Sequence, residues 1–290
     1  MVAVQKPQPV PGRTAVRAVG VPPVAAAPHA VGVPHVVAVP RVVAVPVRAS
    51  EERRRAAVVA RLGPMEPVTL AAIADGRGRE FQRLELMGDS VLEVVMHAHA
   101  VLAGPGCPLC AGRADRFTTD AHLRNLAATV DLGDWLDWHP SPARLGDLVE
   151  ACAGAMLVNG RWPRVVAFVD RELHPLPADE QRRLVHGGAQ VHPDAPPRAR
   201  EILGAAILEA AASTAAYQQH PDATEGELSR IKARMLAGEH ILGRCRDSRW
   251  VRHSLRTRRF VRDDVERLLA DDLLAHGLAS AVSIAWPLVT

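Results

Sequence analysis

The chain is poor in aromatic residues, in cysteine and in long apolar runs, and each shortage excludes a class of protein. Only 3% of the residues are aromatic, which argues against the platforms on which single-stranded nucleic acids stack their bases. Four cysteines in 290 residues do not predict a disulfide framework. No uninterrupted apolar run reaches the roughly 18 residues of a membrane span, and no secretory signal is recognisable. We therefore expect a cytoplasmic protein with no membrane partner.

Strict alternation of polar and apolar residues, the pattern of a half-buried strand, is also missing. Helical periodicity dominates instead and predicts an all-α fold. Ser50, followed by Glu51 and Glu52, predicts an N-cap and an acidic first turn for a helix that ends near Leu62. The length allows two domains of ordinary size, each able to bury a core.

The first 49 residues differ from the rest of the chain. They contain no Asp or Glu and consist largely of Val, Ala and Pro, with VAVP recurring. Prolines every few residues oppose helix formation, so we predict a disordered tail. The same prolines spoil the amphipathic helix that an organellar transit peptide needs.

Four acidic residues on apolar, helix-compatible segments form the candidate site. Glu85 and Asp89 lie four residues apart in REFQRLELMGDSVLEVV, and Asp147 and Glu150 lie three apart in ARLGDLVEACAGAMLVNG. Each pair shares one face of a helix. For one pair alone, a solvated helix face is the usual explanation. Because burying two pairs of like charges is costly without a cation between them, the pattern indicates a metal site. Oxygen ligands favour Mg²⁺ or Mn²⁺.

These motifs carry a family resemblance. RLELMGDSVLE resembles the ribonuclease III signature, usually written ERLEFLGDSVL, and GDLVEACAGAMLVNG resembles that family's later ADAFEALIGAIYLDGG element, over roughly residues 51–172. One accessory family glutamate is Gln82 here. The resemblance implies a metal-dependent endoribonuclease that cuts double-stranded or hairpin RNA and leaves 5′-phosphate and 3′-hydroxyl ends. The alternative is a non-catalytic RNA-binding or scaffold protein on the same fold. The implied catalytic and metal-binding residues are Glu85, Asp89, Asp147 and Glu150.

The motifs recur with an offset of 116 residues and no gap, which predicts a duplication. Asp89 maps to Ala205, so the second set keeps three of four ligands and we expect it to be degenerate, inactive or impaired. The predicted domains are a tail (1–49), a catalytic domain (50–174) and a degenerate domain (175–290). Because ribonuclease III domains dimerise around double-stranded RNA, the resemblance implies an intramolecular pseudo-dimer, with a homodimer as the open alternative. The retained acids of the second set are Glu201, Asp263 and Glu266.

The segment EGELSRIKARML, residues 225–236, resembles the part of the family that follows the signature helix. The first half has CPLCAGRADRF there instead. Its Cys107 and Cys110 form a CxxC pair, which is either half of a structural zinc site or an ordinary loop.

Arginine is concentrated in residues 244–262, although the net charge of the chain is only +3. Clustered guanidinium groups suit phosphate contacts, so we predict an RNA-backbone surface, with a solvated surface as the alternative. No separate double-stranded-RNA-binding domain is recognisable, so we expect the substrate to be held by the pseudo-dimer valley, by this cluster or by a partner protein. The predicted RNA-binding residues are Arg252, Arg256, Arg258 and Arg259.

Overall fold

The computed structural model describes residues 47–103, 144–190, 198–247 and 262–290, together with Leu123, His192 and Ala195. These residues form helices joined by turns, with no β-strand among them, so the all-α prediction is confirmed. A π-helical segment, Val169–Leu173, continues α5. The helices are α1 (Val47–Leu62), α2 (Pro67–Asp75), α3 (Arg79–Ala103), α4 (Arg144–Val158), α5 (Trp162–Phe168), α6 (Ala178–His186), α7 (Ala199–Gln219), α8 (Glu225–Met235), α9 (Gly238–Asp247), α10 (Arg262–His276) and α11 (Leu278–Val289).

Residues Val45–Thr290 form one compact unit around a shared hydrophobic core. Helix α3 is 25 residues long and packs against both α4 and α7, while α7 packs against α10 and α11. The predicted domain boundary between residues 174 and 175 falls inside this unit, shortly before α6, and stays a prediction. The predicted tail lies outside the described residues, apart from the first turn of α1.

Helices α3 and α7 run antiparallel and are joined by polar contacts in the core. The hydroxyls of Ser90 and Ser213 are 2.8 Å apart and buried. Toward the start of α3, Arg83 donates to the carbonyl oxygen of Tyr217, near the end of α7, at 3.0 Å. The hydroxyl of Tyr217 donates to Glu80. Burial, and then this hydrogen bond, raise the pKa of Tyr217, so the phenol stays neutral as the contact requires.

Helices α3 and α4 touch backbone to backbone, which is possible only because glycine stands at the crossing. A Cβ atom built on Gly88 would lie 1.6 Å from the carbonyl oxygen of Glu150. One built on Gly154 would lie 2.0 Å from the carbonyl oxygen of Leu84. The crossing therefore fixes the position of α4 along the axis of α3, and with it the relative position of the acids on the two helices.

The second half contains the same close approach. A Cβ atom built on Gly204 of α7 would lie 1.9 Å from the carbonyl oxygen of Glu266 on α10. Gly204 and Glu266 are the positions that correspond to Gly88 and Glu150 at the offset of 116 residues. One local packing arrangement thus occurs at equivalent positions of the predicted repeat.

Replacing Gly88 with Ala should lower the free energy of unfolding by about 3 kcal/mol or more, because two helix backbones must separate to admit one methyl group. Chemical denaturation followed by circular dichroism measures this change. The matched control is Gly226→Ala in α8, where a Cβ atom meets nothing within 4 Å and helix propensity improves. Equal effects of the two substitutions would contradict the close crossing.

One sequence prediction needs correction. Helix α1 begins at Val47, so Ser50 lies inside the first turn rather than at the N-cap, although the helix does end at Leu62 as predicted. Helix α3 is long and apolar enough to cross a membrane by composition, in spite of its interrupting charges. In its most apolar 18-residue window, however, 78% of the residues are buried inside the structure, as in the core helix of a folded domain.

Candidate metal centre

Three of the four predicted metal ligands come together where α3 crosses α4. Glu85, Asp147 and Glu150 each offer a carboxylate oxygen, and these oxygens lie within 4.8 Å of one another. Glu150 is the most buried of the three, with 8% of its surface exposed, while the other two are half-buried. The convergence depends on the crossing at Gly88, which holds the backbone of Glu150 against α3 one turn from Glu85.

The donor set of this cluster fits a hard divalent cation. Ligands of an octahedral Mg²⁺ ion lie at about 2.1 Å from it, so that opposite ligand oxygens are about 4 Å apart. Oxygens already within 4.8 Å of one another need only small side-chain movements to reach that geometry. Three partly buried carboxylates at this separation repel one another, and a bound cation removes the repulsion. The three residues can therefore hold a metal ion.

Asp89 is the predicted ligand that the structure does not bring into this group. It is half-buried on α3, one turn after Glu85. Among the described residues, its carboxylate is not part of the group whose oxygens lie within 4.8 Å of one another. Since it shares the face of Glu85, it lies next to the cluster. The fourth ligand therefore stays a prediction.

The equivalent acids of the second half do not converge in this way. Within the described ranges, Glu201, Asp263 and Glu266 form no group of that spacing, and Asp263 is exposed. Glu201 instead accepts hydrogen bonds from Nε and Nη2 of Arg267, at 3.0 and 2.7 Å. This hydrogen bonding, followed by the charges of nearby acids, raises the pKa of Arg267, so the arginine remains a cation under all ordinary conditions.

A second arginine binds Glu266, the buried acid of this set. Nε of Arg262 donates to Glu266 at 2.6 Å, and Nη1 donates to the carbonyl oxygen of Leu236 at 3.1 Å. Glu266 is 7% exposed, much like Glu150 in the first half. Two guanidinium groups therefore supply, in the second half, the positive charge that we assign to a metal in the first.

Sequence reasoning missed these two arginines, although the offset of 116 residues contained the signal. The positions equivalent to Arg262 and Arg267 are Gly146 and Ala151, which carry no charge. Comparing the neighbours of the acids, and not only the acids, shows that the two halves differ at these two positions as well as at Ala205. Arg262, the last arginine of the predicted RNA-binding cluster, forms an ion pair with Glu266.

Most of that cluster lies outside the described residues. Arg244 is exposed on α9. The four arginines predicted to bind RNA, Arg252, Arg256, Arg258 and Arg259, and the CxxC pair of Cys107 and Cys110, are not among the residues that the structure describes.

No family model matches the chain, and no curated protein matches it. The resemblance to ribonuclease III therefore rests on the two sequence motifs.

Proposed function

We propose that this protein is a metal-dependent endoribonuclease that cuts double-stranded or hairpin RNA at a single site in its first half. The observation that carries the proposal is the cluster of Glu85, Asp147 and Glu150. These residues belong to the two motifs that resemble ribonuclease III. Glu85 is far in sequence from Asp147 and Glu150, yet the carboxylate oxygens of all three lie within 4.8 Å of one another in the fold.

The proposed architecture is an intramolecular pair of ribonuclease III-like halves. In a two-fold arrangement whose axis is perpendicular to an element, that element packs against its own equivalent in antiparallel fashion. Helices α3 and α7 are equivalent under the offset of 116 residues, and they pack antiparallel through Ser90 and Ser213. The recurring glycine–glutamate approach within each half supports the same arrangement. Two copies of one ancestral domain, fused in one chain, account for both observations.

In the proposed mechanism, Glu85, Asp147 and Glu150 hold Mg²⁺, and Asp89 completes the set beside Glu85. When bound, the cation supplies an activated water for in-line attack on the phosphodiester and stabilises the leaving 3′ oxygen. The carboxylates fix the geometry, because α3 and α4 cannot shift past one another at Gly88. Burial of Glu150 limits competing water around the site and strengthens its interaction with the cation.

The second candidate function is a non-catalytic RNA-binding or scaffold protein. The arginines bound to Glu201 and Glu266 favour it for the second half, where they replace a metal. The first half carries Gly146 and Ala151 at those positions, which favours the enzyme there.

The deciding experiment is incubation of the full chain with a long perfect RNA duplex, with Mg²⁺ and with a chelator. We expect Mg²⁺-dependent shortening of the duplex, with 5′-phosphate and 3′-hydroxyl ends. Binding of the duplex without cleavage, at any Mg²⁺ or Mn²⁺ concentration, would favour the scaffold.

Replacing Arg252, Arg256 and Arg259 together with Ala should weaken binding to duplexes of any sequence. Each arginine that neutralises a phosphate contributes about one unit to the slope of log affinity against log salt, so the slope should become shallower as fewer counterions are released. Titrations at several salt concentrations, with duplexes of two unrelated sequences, measure both effects. A matched control is Arg182→Ala, at an exposed position of α6. An unaltered slope in the triple variant would assign the cluster to the solvated surface.

A further inference from the structure

Helix α6 connects the two halves and lies in a groove formed by both. It packs against α3 and α5 of the first half and against α10 and α11 of the second. Leu184 is its buried anchor, at 2% exposure, and Glu180 is bound to His99 of α3 at 2.6 Å. The residues after the helix continue the contact, since the amide of Ala189 donates to the carbonyl oxygen of Leu274 at 2.8 Å.

A second groove, with a volume of about 440 Å³, is open on the surface. It is formed by the end of α4, the start of α5, one side of α7 and one side of α11. Two of the five tryptophans of the chain lie in it, and none of its described lining residues is charged. Its principal lining residues are Leu157, Trp162, Thr214, Gln218, Val282 and Trp286.

The helices that line the open groove are the equivalents of the helices that α6 contacts. Under the offset of 116 residues, α3 corresponds to α7, α4 to α10 and α5 to α11. Helix α6 contacts α3, α10, α5 and α11, and the open groove is lined by α7, α4, α11 and α5. Among the described residues, one of two equivalent grooves is therefore filled by a helix of this chain, and no helix occupies the other.

We propose that the open groove is a docking site for a short amphipathic helix of a partner protein, two to three turns long, with an uncharged face that carries leucine. The filled groove shows which kind of segment fits, namely a nine-residue helix with Leu184 as its buried apolar residue. Buried indoles are the side chains that most often dominate the binding energy of protein interfaces. The inference rests on the proposed pairing of the two halves, and it goes beyond cleavage.

The lining chemistry selects a helix face rather than nucleic acid. Phosphate recognition needs cations, and the described lining offers none. The partner helix should also differ from α6 at one position. His99, which binds Glu180, corresponds to Ala215 in the second half, so an apolar residue should replace the glutamate. Thr214 and Gln218 supply a polar edge that can orient the helix.

The groove can be tested with a helix supplied by the protein itself. Thr290 corresponds to His174, so a second copy of residues 175–189 joined directly after Thr290 begins in register with α6. High effective concentration compensates for the weakness of an isolated short helix. Three full-chain fusions are compared: the copy as it stands, the copy with Glu180→Leu, and the copy with Leu184→Glu. The readouts are Tm and the quenching of tryptophan fluorescence by acrylamide, without RNA or metal.

We expect the Glu180→Leu copy to raise Tm by several degrees and to reduce quenching most, the unchanged copy to do so less, and the Leu184→Glu copy to have no effect. Trp286→Ala in the main chain should remove the effect, whereas Val68→Ala, at an exposed site on α2, should retain it. Identical Tm and quenching for all three fusions would overturn the proposal, as would an effect that survives Trp286→Ala or disappears with Val68→Ala. Because no cleavage is measured, failure here is distinct from failure of the nuclease proposal.

Discussion

Replacing Glu150 with Gln is expected to reduce Mg²⁺-dependent cleavage of duplex RNA by about 100-fold or more. Even residues that only support metal ligands cost about 10- to 100-fold when they are replaced, so a direct ligand should cost at least as much. The amide keeps the shape of the buried side chain but loses the charge that faces Glu85 and Asp147. Initial rates on an end-labelled duplex measure the effect.

Two further measurements separate a damaged metal site from a damaged fold. Mg²⁺ should raise the Tm of the unaltered protein, because a ligand that binds only the folded state stabilises it, and this rise should vanish in Glu150→Gln. The matched control is Glu266→Gln, which occupies the equivalent position of the second half and is equally buried. Since Glu266 is bound to Arg262, its replacement should leave both cleavage and the Mg²⁺ effect on Tm unchanged. Unchanged turnover in Glu150→Gln would refute the site assignment.

The helical character and the position of the acids could be predicted from the sequence because both depend on local periodicity. The three- and four-residue spacings place each acidic pair on one helix face whatever the rest of the fold does. The crossing of α3 and α4 depends on two helices at once, so the sequence predicts it less directly than it predicts each helix. Gly88 and Gly154 permit the backbone contact that brings Glu150 toward Glu85, and neither glycine is required by its own helix.

The departures have equally specific causes. Glu85 and Asp89 share one helix face, but sharing a face does not make side chains converge on one point. Among the described residues the group within 4.8 Å includes Glu85 and the acids of α4, and Asp89 as fourth ligand stays a prediction. The pairing of Glu201 with Arg267 joins residues that are 66 positions apart, so no local pattern contains it. The pairing forms because α7 and α10 cross in the same way as α3 and α4.

The two halves should act unequally on a duplex. If a monomer provides the pseudo-dimer, the first-half site faces one strand and the arginine-bound acids of the second half face the other. We therefore expect a nick, with one strand cut much faster than its complement, where two intact sites would give a staggered double cut. Strand-specific end labelling, together with the molar mass in solution, measures this. If two chains instead paired through their first halves, both strands would be cut and the mass would be that of a dimer.

Restoring the second site should require removal of two arginines as well as replacement of Ala205. Ala205→Asp alone adds a carboxylate beside Glu201, but Arg267 still holds that glutamate and Arg262 still holds Glu266. The Ala205→Asp variant is therefore the control, and we expect it to remain a nicking enzyme. Combining it with Arg262→Ala and Arg267→Ala leaves the acids without their guanidinium partners and makes a cation favourable again, as in the first half. Cutting of the second strand should then rise by about tenfold or more, in line with the usual sensitivity of metal sites to their surroundings.

Equal cutting of both strands by a proven monomer of the unaltered chain would contradict the single-site proposal. Full restoration by Ala205→Asp alone would show that the arginines do not block the second site.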